Sequence, residues 1–400
     1  MFWRTKKLGE VCVIKPPKNE ARKKLRDNDL VSFVPMEDLG FLSKSFNVNK
    51  ERKLKDVSGS YTYFADGDVL LAKITPCFEN GKVGIASNLK NGIGFGSSEY
   101  IVFRPSKDLL SEYLFYFLSN NNFRKAGKKS MSGAVGHKRV AKEFIENSAI
   151  PLPPLPEQHR IVKILDDVFE KITEAKENAE KNLQNAKELI ESYLQNIFLN
   201  PKKNWKKTKL GELCKDVQYG TSAKSKKTGE IPVLRMGNIQ EGKFVWDSLV
   251  YTDDDKEIEK YSLRYNDILF NRTNSPELVG KSAIYKGEQP AIFAGYLIRI
   301  NRKENLLDGD FLNYYLNFSK TREYGFSVMC SSVNQANING TKLREYPIIL
   351  PPLPQQKSIV ARLDALSAET KKLEAIYKQK LTDLEELKKS VLKKAFDGEL

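Results

Sequence analysis

Cysteine and histidine are scarce in this chain of 400 residues. It holds four cysteines and two histidines, and the cysteines lie far apart without a C-x-x-C pair. This spacing excludes a disulfide framework and a zinc site built from cysteines. Two histidines add too few ligands for us to expect a metal centre.

Long apolar runs are also missing. No stretch approaches the ~18–20 apolar residues that a membrane helix needs. The start, Met1 to Thr5, lacks the apolar core of a signal peptide. We therefore expect a soluble, cytoplasmic protein that makes no membrane contact.

The motifs of the common catalytic sites are absent. Gly280-Lys281 resembles part of a P-loop, but that motif needs a glycine five residues before the Gly-Lys pair, where this chain has Ser275. Neither an N-P-P-[YF] methyltransferase motif, nor a paired-carboxylate nuclease signature, nor a G-x-S-x-G elbow occurs. We expect a chain that binds no cofactor and is not itself an enzyme.

Positive charge is abundant and unevenly distributed. The chain has 66 Lys and Arg against 51 Asp and Glu, a net charge of +15. Residues 1–156 carry +10 and residues 201–354 carry +6, whereas residues 157–200 carry −3 and residues 355–400 carry +2. Concentrated positive charge favours a polyanionic partner, above all nucleic acid.

The strongest pattern in the sequence is an internal repeat. WRTKKLGEVC at Trp3 returns as WKKTKLGELC at Trp205, and LPPLPEQHRIV at Leu152 returns as LPPLPQQKSIV at Leu350. Two copies at so long a period indicate a tandem duplication, since solenoid repeats are roughly 20–50 residues long. We therefore expect two equivalent sites.

Each copy combines a globular part with a helical part. Short β-like runs broken by Gly, Pro and Asn predict a mixed α+β globule. After LPPLP, a 4,3 spacing of apolar residues from Ile161 predicts a coiled-coil helix over Glu157 to Leu199. The seam has a polar residue at Asn182 and, in the second copy, at Lys380, with leucine one residue later in both, which we interpret as a shift of register.

The two predicted helices have two ways to bury their apolar seams. They can pair, most simply antiparallel with the globules at opposite ends, or each can fold back on its own globule. We favour pairing. The predicted segments are a globule at 1–150, a helix at 151–200, a second globule at 201–348 and a second helix at 349–400.

This organisation resembles the DNA specificity subunit of type I restriction-modification systems. The resemblance covers essentially the whole chain and is most specific at W-x-x-x-x-L-G-E, at LPPLP-[EQ]-Q and at the helix ends SYLQNIF and SVLKKAF. It implies two target-recognition domains, each reading one half of a split site in double-stranded DNA, held apart by two antiparallel helices. It also implies two methyltransferase subunits and restriction/translocase subunits as partners.

The resemblance assigns the loop before each LPPLP segment to the DNA-facing side. These loops span residues 132–139 and 331–339, and their polar side chains suit base edges or phosphates. The candidates are Ser132, His137, Lys138, Arg139, Asn334, Gln335 and Asn337. The alternative is that the Asn and Gly residues there only form turns.

Two further groups are weaker candidates for DNA binding. One is a strip in the second copy consisting of Tyr219, Thr221, Lys224, Arg235 and Asn238, where Pro35 stands in the first copy at the position of Arg235. The other follows a matched strand in both copies and consists of Lys73, Thr75, Arg272 and Asn274.

Two rival functions remain open at this point. A fused methyltransferase or nuclease needs a cofactor or catalytic motif, and activity of the isolated chain with S-adenosylmethionine would support it. A non-catalytic coiled-coil adaptor explains the helices but leaves the concentration of charge in the globules unexplained.

Overall fold

The structure is a computed structural model that describes residues 3–134, 136–332 and 335–400. The chain divides into two compact units. The first consists of Met1–Glu180 and Lys378–Leu400, and the second of Lys181–Tyr377. The C-terminal segment of the chain therefore belongs to the same unit as its N-terminal globule.

In the part of the first unit that the structure describes, strands β1–β10 and the short α-helices α1–α6 precede the long helix. The strands are β1 Thr5–Lys7, β2 Cys12–Ile14, β3 Leu30–Val34, β4 Glu51–Lys53, β5 Thr62–Ala65, β6 Val69–Ala72, β7 Val83–Ile85, β8 Ile93–Gly96, β9 Tyr100–Pro105 and β10 Ala149–Pro151. The helices are α1 Leu8–Val11, α2 Asn19–Lys24, α3 Leu54–Val57, α4 Ser111–Ser119, α5 Asn121–Lys129 and α6 Lys142–Asn147.

Strand β6 lies at the centre of this unit. It pairs with β9 and β7 in the four-stranded sheet β2-β9-β6-β7, while β4-β3-β8-β5 form a second sheet. All four β6 residues are buried. Val69 and Leu71 pack in the core that holds α4, and Leu70 and Ala72 pack in a different core that includes Phe64 of the second sheet. A strand covered on both faces needs the unbroken apolar run VLLA.

The second unit repeats this plan with more irregular sheets. Helix α7 spans Leu155–Leu199 and leads into it. The strands are β11 Lys206–Lys209, β12 Cys214–Tyr219, β13 Ile231–Leu234, β14 Ile239–Gln240, β15 Lys243–Phe244, β16 Val250–Thr252, β17 Ile268–Asn271, β18 Thr273–Asn274, β19 Ser282–Ile284, β20 Ile292–Phe293, β21 Leu297–Arg302, β22 Cys330–Ser332, β23 Gln335–Asn337 and β24 Pro347–Leu350. The helices are α8 Asp255–Tyr261, α9 Gly309–Asn317, α10 Ser319–Val328, α11 Gly340–Arg344 and the long α12 Leu353–Asp397.

The central sheets of the two units correspond strand for strand. The order β12-β21-β17-β19 in the second unit matches β2-β9-β6-β7 in the first. The duplication seen in the sequence is therefore a duplication of the fold.

Helices α7 and α12 are each 45 residues long, or ~68 Å at ~1.5 Å per residue. Helix α7 begins at Leu155, two residues before the predicted Glu157. The carbonyl of Pro154 accepts hydrogen bonds from the N–H groups of Glu157 and Gln158. Pro156 is tolerated in the first turn because an N–H there has no partner within the helix.

The predicted pairing of the long helices is confirmed, and it is antiparallel. In the first unit the start of α7 shares a core with the end of α12, through Ile161, Leu165 and Phe396 among others. In the second unit the end of α7 shares a core with the start of α12, through Phe198 and Leu363 among others. Both helices also pack on the globules, so the two packing modes weighed from the sequence occur together.

The predicted shift of register is also present. Asn182 is exposed and Leu183 is half-buried, and Lys380 and Leu381 behave in the same way. The seam therefore moves by one residue at this point in both helices, which keeps apolar side chains on the paired face.

A buried glutamine fixes the start of each long helix to its globule. Gln158 is fully buried; its side-chain oxygen accepts from the N–H of Leu110 at 2.9 Å, and its nitrogen donates to the carbonyls of Asp108 and Pro153 at 2.8 Å. Gln356 makes the matching three bonds in the second unit, to Asp308, Leu306 and Pro351. The last residue of the LPPLP-[EQ]-Q segment, a Gln in both copies, therefore has a structural role.

Candidate nucleic-acid interface

In the first unit, two of the candidate groups meet at the end of strand β6. The N–H of Val140 donates to the carbonyl of Lys73 at 2.9 Å, and the N–H of Thr75 donates to the carbonyl of Lys138 at 2.9 Å. Ser132 and Arg139 close the loop between them through two backbone hydrogen bonds of 3.1 and 2.8 Å. The segment after β6 and the loop 132–139 thus form one surface, which we call the first junction.

The second unit builds the same junction from its own residues. The N–H of Ile338 donates to the carbonyl of Arg272 at 2.8 Å. Strand β18 pairs with β23, and β23 pairs with β22, which places Thr273 opposite Asn337. This is the second junction. The two loop groups predicted separately from the sequence are therefore neighbours in both units, whereas their contact with DNA stays a prediction.

Charge in the first junction is partly neutralised by an acid. The guanidinium of Arg139 donates from Nε to Glu99 Oε2 at 2.9 Å and from Nη2 to Glu99 Oε1 at 2.7 Å. Hydrogen bonding from Arg139, with attraction to Lys73, holds the pKa of Glu99 below its usual range. The side chains of His137 and Lys138 are exposed beside this pair.

Lys73 and Thr75 are less accessible than the loop. Lys73 is half-buried and donates from Nζ to the carbonyl of Ser98 at 2.9 Å, and burial lowers its pKa. The Thr75 hydroxyl lies 3.2 Å from Oε1 of Glu79. Within the first junction, the loop residues therefore offer the more exposed polar groups.

In the second junction, the cationic side chain of Arg272 contacts an aromatic ring. The guanidinium of Arg272 lies 4.9 Å from the centre of the Tyr219 ring and donates to the carbonyl of Gly295 at 3.3 Å. The Tyr219 hydroxyl accepts from the N–H of Gly340 at 2.7 Å. Tyr219 thereby links β12 to α11 and supports Arg272 through a cation–π contact.

The remaining loop candidates of the second junction differ in accessibility. Asn337 donates from Nδ2 to the Thr273 hydroxyl at 2.7 Å and is half-buried. Gln335 has an exposed side chain at the start of β23. Asn334 lies outside the described residues.

The strip after β12 separates into one buried and one exposed residue. Thr221 is buried; its hydroxyl is bonded to the Glu257 carboxylate and accepts from the N–H of Ala223 at 3.0 Å. Lys224 is exposed. Of Thr221 and Lys224, only Lys224 is therefore accessible to a polyanion.

Asn238 and Arg235 form a turn after β13. Asn238 is buried; its side-chain nitrogen donates to the carbonyls of Val245 and Asp247, and its oxygen accepts from the N–H of Arg235. Its amide stabilises the turn. The Nη2 atom of Arg235 donates to the carbonyl of Ser248 at 2.8 Å, while its buried Nε has no hydrogen-bond partner among the described residues.

This turn borders a cleft in the second unit. The cleft has a volume of about 490 Å³, and its lining includes Arg235, Asn238, Asn274, Lys281 and Tyr296. Among the residues that the structure describes, no hydrogen bond or ion pair involves the amino group of Lys281. The cleft therefore combines two cationic side chains with an exposed aromatic ring.

The matched place in the first unit is arranged differently. Pro35 stands where the second unit has Arg235, and its carbonyl accepts from the Tyr100 hydroxyl at 2.8 Å. Lys82, the counterpart of Lys281, is buried and donates to the carbonyl of Met36 at 2.6 Å. The two units thus share a backbone plan but present different cations.

Three residues of these surfaces were missed from the sequence: Glu99, Tyr296 and Lys281. Glu99 and Tyr296 each directly precede a matched strand, β9 and β21. Aligning the two halves strand by strand, and reading the residue before each strand, would have found them.

The described residues contain neither a cluster of metal ligands nor a membrane-spanning helix. In the ranges that the structure describes, no group of three or more His, Cys, Asp or Glu side chains is placed to hold a metal ion. Among the same residues, no helix is long and apolar enough to cross a lipid bilayer.

Known proteins of one family resemble this chain. A family model described as the type I restriction modification DNA specificity domain matches residues 2–183 and again residues 202–383. The EcoAI specificity subunit of Escherichia coli is 41% identical over 172 residues, which cover 42% of this chain but 29% of that protein. The StySPI specificity subunit of Salmonella potsdam is 28% identical over 353 residues, or 82% of this chain and 76% of that protein.

A solved structure has the same fold. The HsdS subunit from Thermoanaerobacter tengcongensis aligns with a TM-score of 0.70 at 22% identity, covering 100% of this chain and 97% of that one. The family model accounts for most of the sequence in two tandem matches, one for each half of the duplication. The chain therefore belongs to the family of type I restriction modification DNA specificity subunits.

Proposed function

We propose that this chain reads a bipartite target in double-stranded DNA, with one half-site contacted by each junction. The observation that carries the proposal is the duplication of the junction, which places exposed polar side chains on the same backbone plan in both units. Their different side chains support two different half-site sequences. The net positive charge of both globular segments supports attraction to the phosphate backbone.

Binding to duplex DNA at several salt concentrations tests the first step. If the globules neutralise Z phosphates, the logarithm of the binding constant falls with the logarithm of salt at a slope of about −0.9Z. Selection from a randomised duplex library at fixed salt then reports the sequence preference. An adaptor whose charge is incidental shows no base preference, and that result would refute DNA reading.

We further propose that the chain is a non-catalytic carrier of specificity in the cytoplasm. Two methyltransferase subunits and the restriction/translocase subunits supply the chemistry, and the chain binds no cofactor of its own. The duplicated helix pair supports two equivalent docking surfaces. Native mass spectrometry of the co-expressed proteins tests this stoichiometry, and one methyltransferase per chain contradicts it. Methylation of DNA by the isolated chain with S-adenosylmethionine would instead support a fused enzyme.

The long helices set the distance between the half-sites in this proposal. Inserting four residues after both Lys176 and Glu374 adds ~6 Å at ~1.5 Å per residue, against ~3.4 Å per base pair. We expect the unread spacer to lengthen by one or two base pairs while both half-site sequences stay the same. An unchanged spacer in a folded variant would show that the helices do not set this distance.

A further inference from the structure

Glu99 is the one acidic residue found in contact with a candidate base-reading arginine in the described part of the chain. It lies directly before β9, and its carboxylate receives two hydrogen bonds from Arg139, at 2.9 and 2.7 Å. The Arg139 side chain is 47% exposed and the Glu99 side chain 22%. Arg139 is therefore the more exposed partner of the pair.

Glu99 is itself held in place from several directions. Its carbonyl accepts from the N–H of Lys73 at 2.9 Å, and its N–H donates to the Ser97 hydroxyl at 3.2 Å. Lys73 stabilises the charge of the Glu99 carboxylate, and its amino group is fixed on the carbonyl of Ser98. The backbone of Glu99 is thus fixed at the end of β6, and this places its carboxylate next to Arg139.

The hydrogen bonds of Arg139 leave a defined part of its guanidinium unused. A guanidinium has five N–H donors. Glu99 takes one from Nε and one from Nη2, and the carbonyl of His137 takes one from Nη1 at 3.3 Å. Two donors remain, one on each Nη atom. Two donors are what the O6 and N7 acceptors of a guanine require.

From this geometry we infer that Glu99 is a positioning residue for base recognition, which holds Arg139 so that its two free donors meet a guanine in the first half-site. The inference rests on the proposed function. A flexible arginine can satisfy any phosphate, whereas one fixed by a bidentate carboxylate is restricted in direction. Glu99 thus lowers the electrostatic attraction of this loop to DNA and increases its discrimination between base sequences.

The second junction has no carboxylate–arginine pair at the two matched positions. Tyr296 takes the place of Glu99, and Asn337, which bonds to Thr273, takes the place of Arg139. A change at Glu99 should therefore affect one half-site and leave the other unchanged. This asymmetry supplies an internal control in every measurement.

The test uses the full chain and selection from a randomised duplex library at fixed salt. Arg139→Ala identifies the base pair that depends on the arginine, where a bidentate contact is worth about 5- to 150-fold in discrimination. We expect Glu99→Gln to lose at least threefold in preference at that same base pair, and to bind random duplex as tightly as the wild type or more tightly. The double variant should match Arg139→Ala alone, because Glu99 acts only through the arginine.

Matched variants separate this role from a general loss of charge or structure. Glu143→Gln removes an exposed carboxylate from α6 in the same unit and should leave both half-sites unchanged. Arg139→Lys keeps the charge but cannot form a bidentate contact with a carboxylate or a guanine, so it should lose the same preference as Arg139→Ala and shows that charge alone does not supply it. Thermal unfolding of each variant checks the fold.

Two results would overturn the inference while leaving the proposed function intact. One is an unchanged base preference in Glu99→Gln. The other is tighter binding of every sequence with preference retained, which would make Glu99 a competitor that DNA displaces. If the wild-type chain itself shows no base preference, the proposed function fails and this inference fails with it.

Discussion

Replacing Gln158 by leucine tests how the first long helix is attached to its globule. The change keeps the approximate volume but removes three hydrogen bonds, to the N–H of Leu110 and the carbonyls of Asp108 and Pro153. The bond to Pro153 is buried and the other two are partly buried. Water can replace the bonds to the partly buried groups, but not the bond to the buried carbonyl.

The cost of Gln158→Leu follows from these environments. An unsatisfied buried group costs about 1–3 kcal/mol, and a lost ordinary hydrogen bond costs about 0.5–1.5 kcal/mol. The free energy of unfolding of the first unit should therefore fall by about 2–6 kcal/mol. For a unit of this size, roughly 2–4 °C per kcal/mol gives a lower melting temperature by about 10 °C.

Differential scanning calorimetry of the full chain measures this effect, with two matched variants beside it. Gln356→Leu removes the equivalent bonds in the second unit and should cost a similar amount. Glu157→Gln changes only an exposed pair with Arg160 and should stay within about 1 kcal/mol of the wild type. A loss below about 1 kcal/mol for Gln158→Leu would refute the reasoning, because the three bonds would then contribute nothing beyond their replacement by water.

Three other predictions concern the second unit and the cysteines. Arg235→Gln combined with Lys281→Gln should reduce the salt slope of DNA binding by about two, since each phosphate contact contributes about one. Titration against duplex DNA at several salt concentrations measures this slope. An unchanged slope would show that the cleft does not contact the DNA backbone. Asn337→Ala should blur base preference in one half-site only, and library selection that shows both half-sites blurred would contradict independent reading. Burial raises the pKa of the Cys12 thiol to about 12, so at pH 8 this thiol stays protonated and an alkylating reagent should modify exposed Cys330 first; peptide mass spectrometry that found Cys12 modified as fast would contradict its burial.

The sequence by itself determined the duplication, the long helices and the family. The repeat is visible in the sequence alone because the two halves fold in the same way and use the same residues at matched positions. The long helices can also be predicted from the sequence, because a helix places residues three and four apart on one face and the 4,3 spacing of apolar residues depends only on near neighbours in the chain. Even the one-residue shift at Leu183 and Leu381 could be predicted, since polar residues interrupt both seams at the same place.

Only the tertiary structure decided which candidate side chains are accessible. Asn238 and Arg139 have residue types that suit base edges, yet one is buried in its own turn and the other is held by Glu99. Glu99 and Arg139 are 40 residues apart, and they meet because β6 and β9 pair and the loop closes on the end of β6. Hydrogen bonds between distant segments depend on the folded backbone, so residue type and spacing alone could not show that Glu99 holds the arginine.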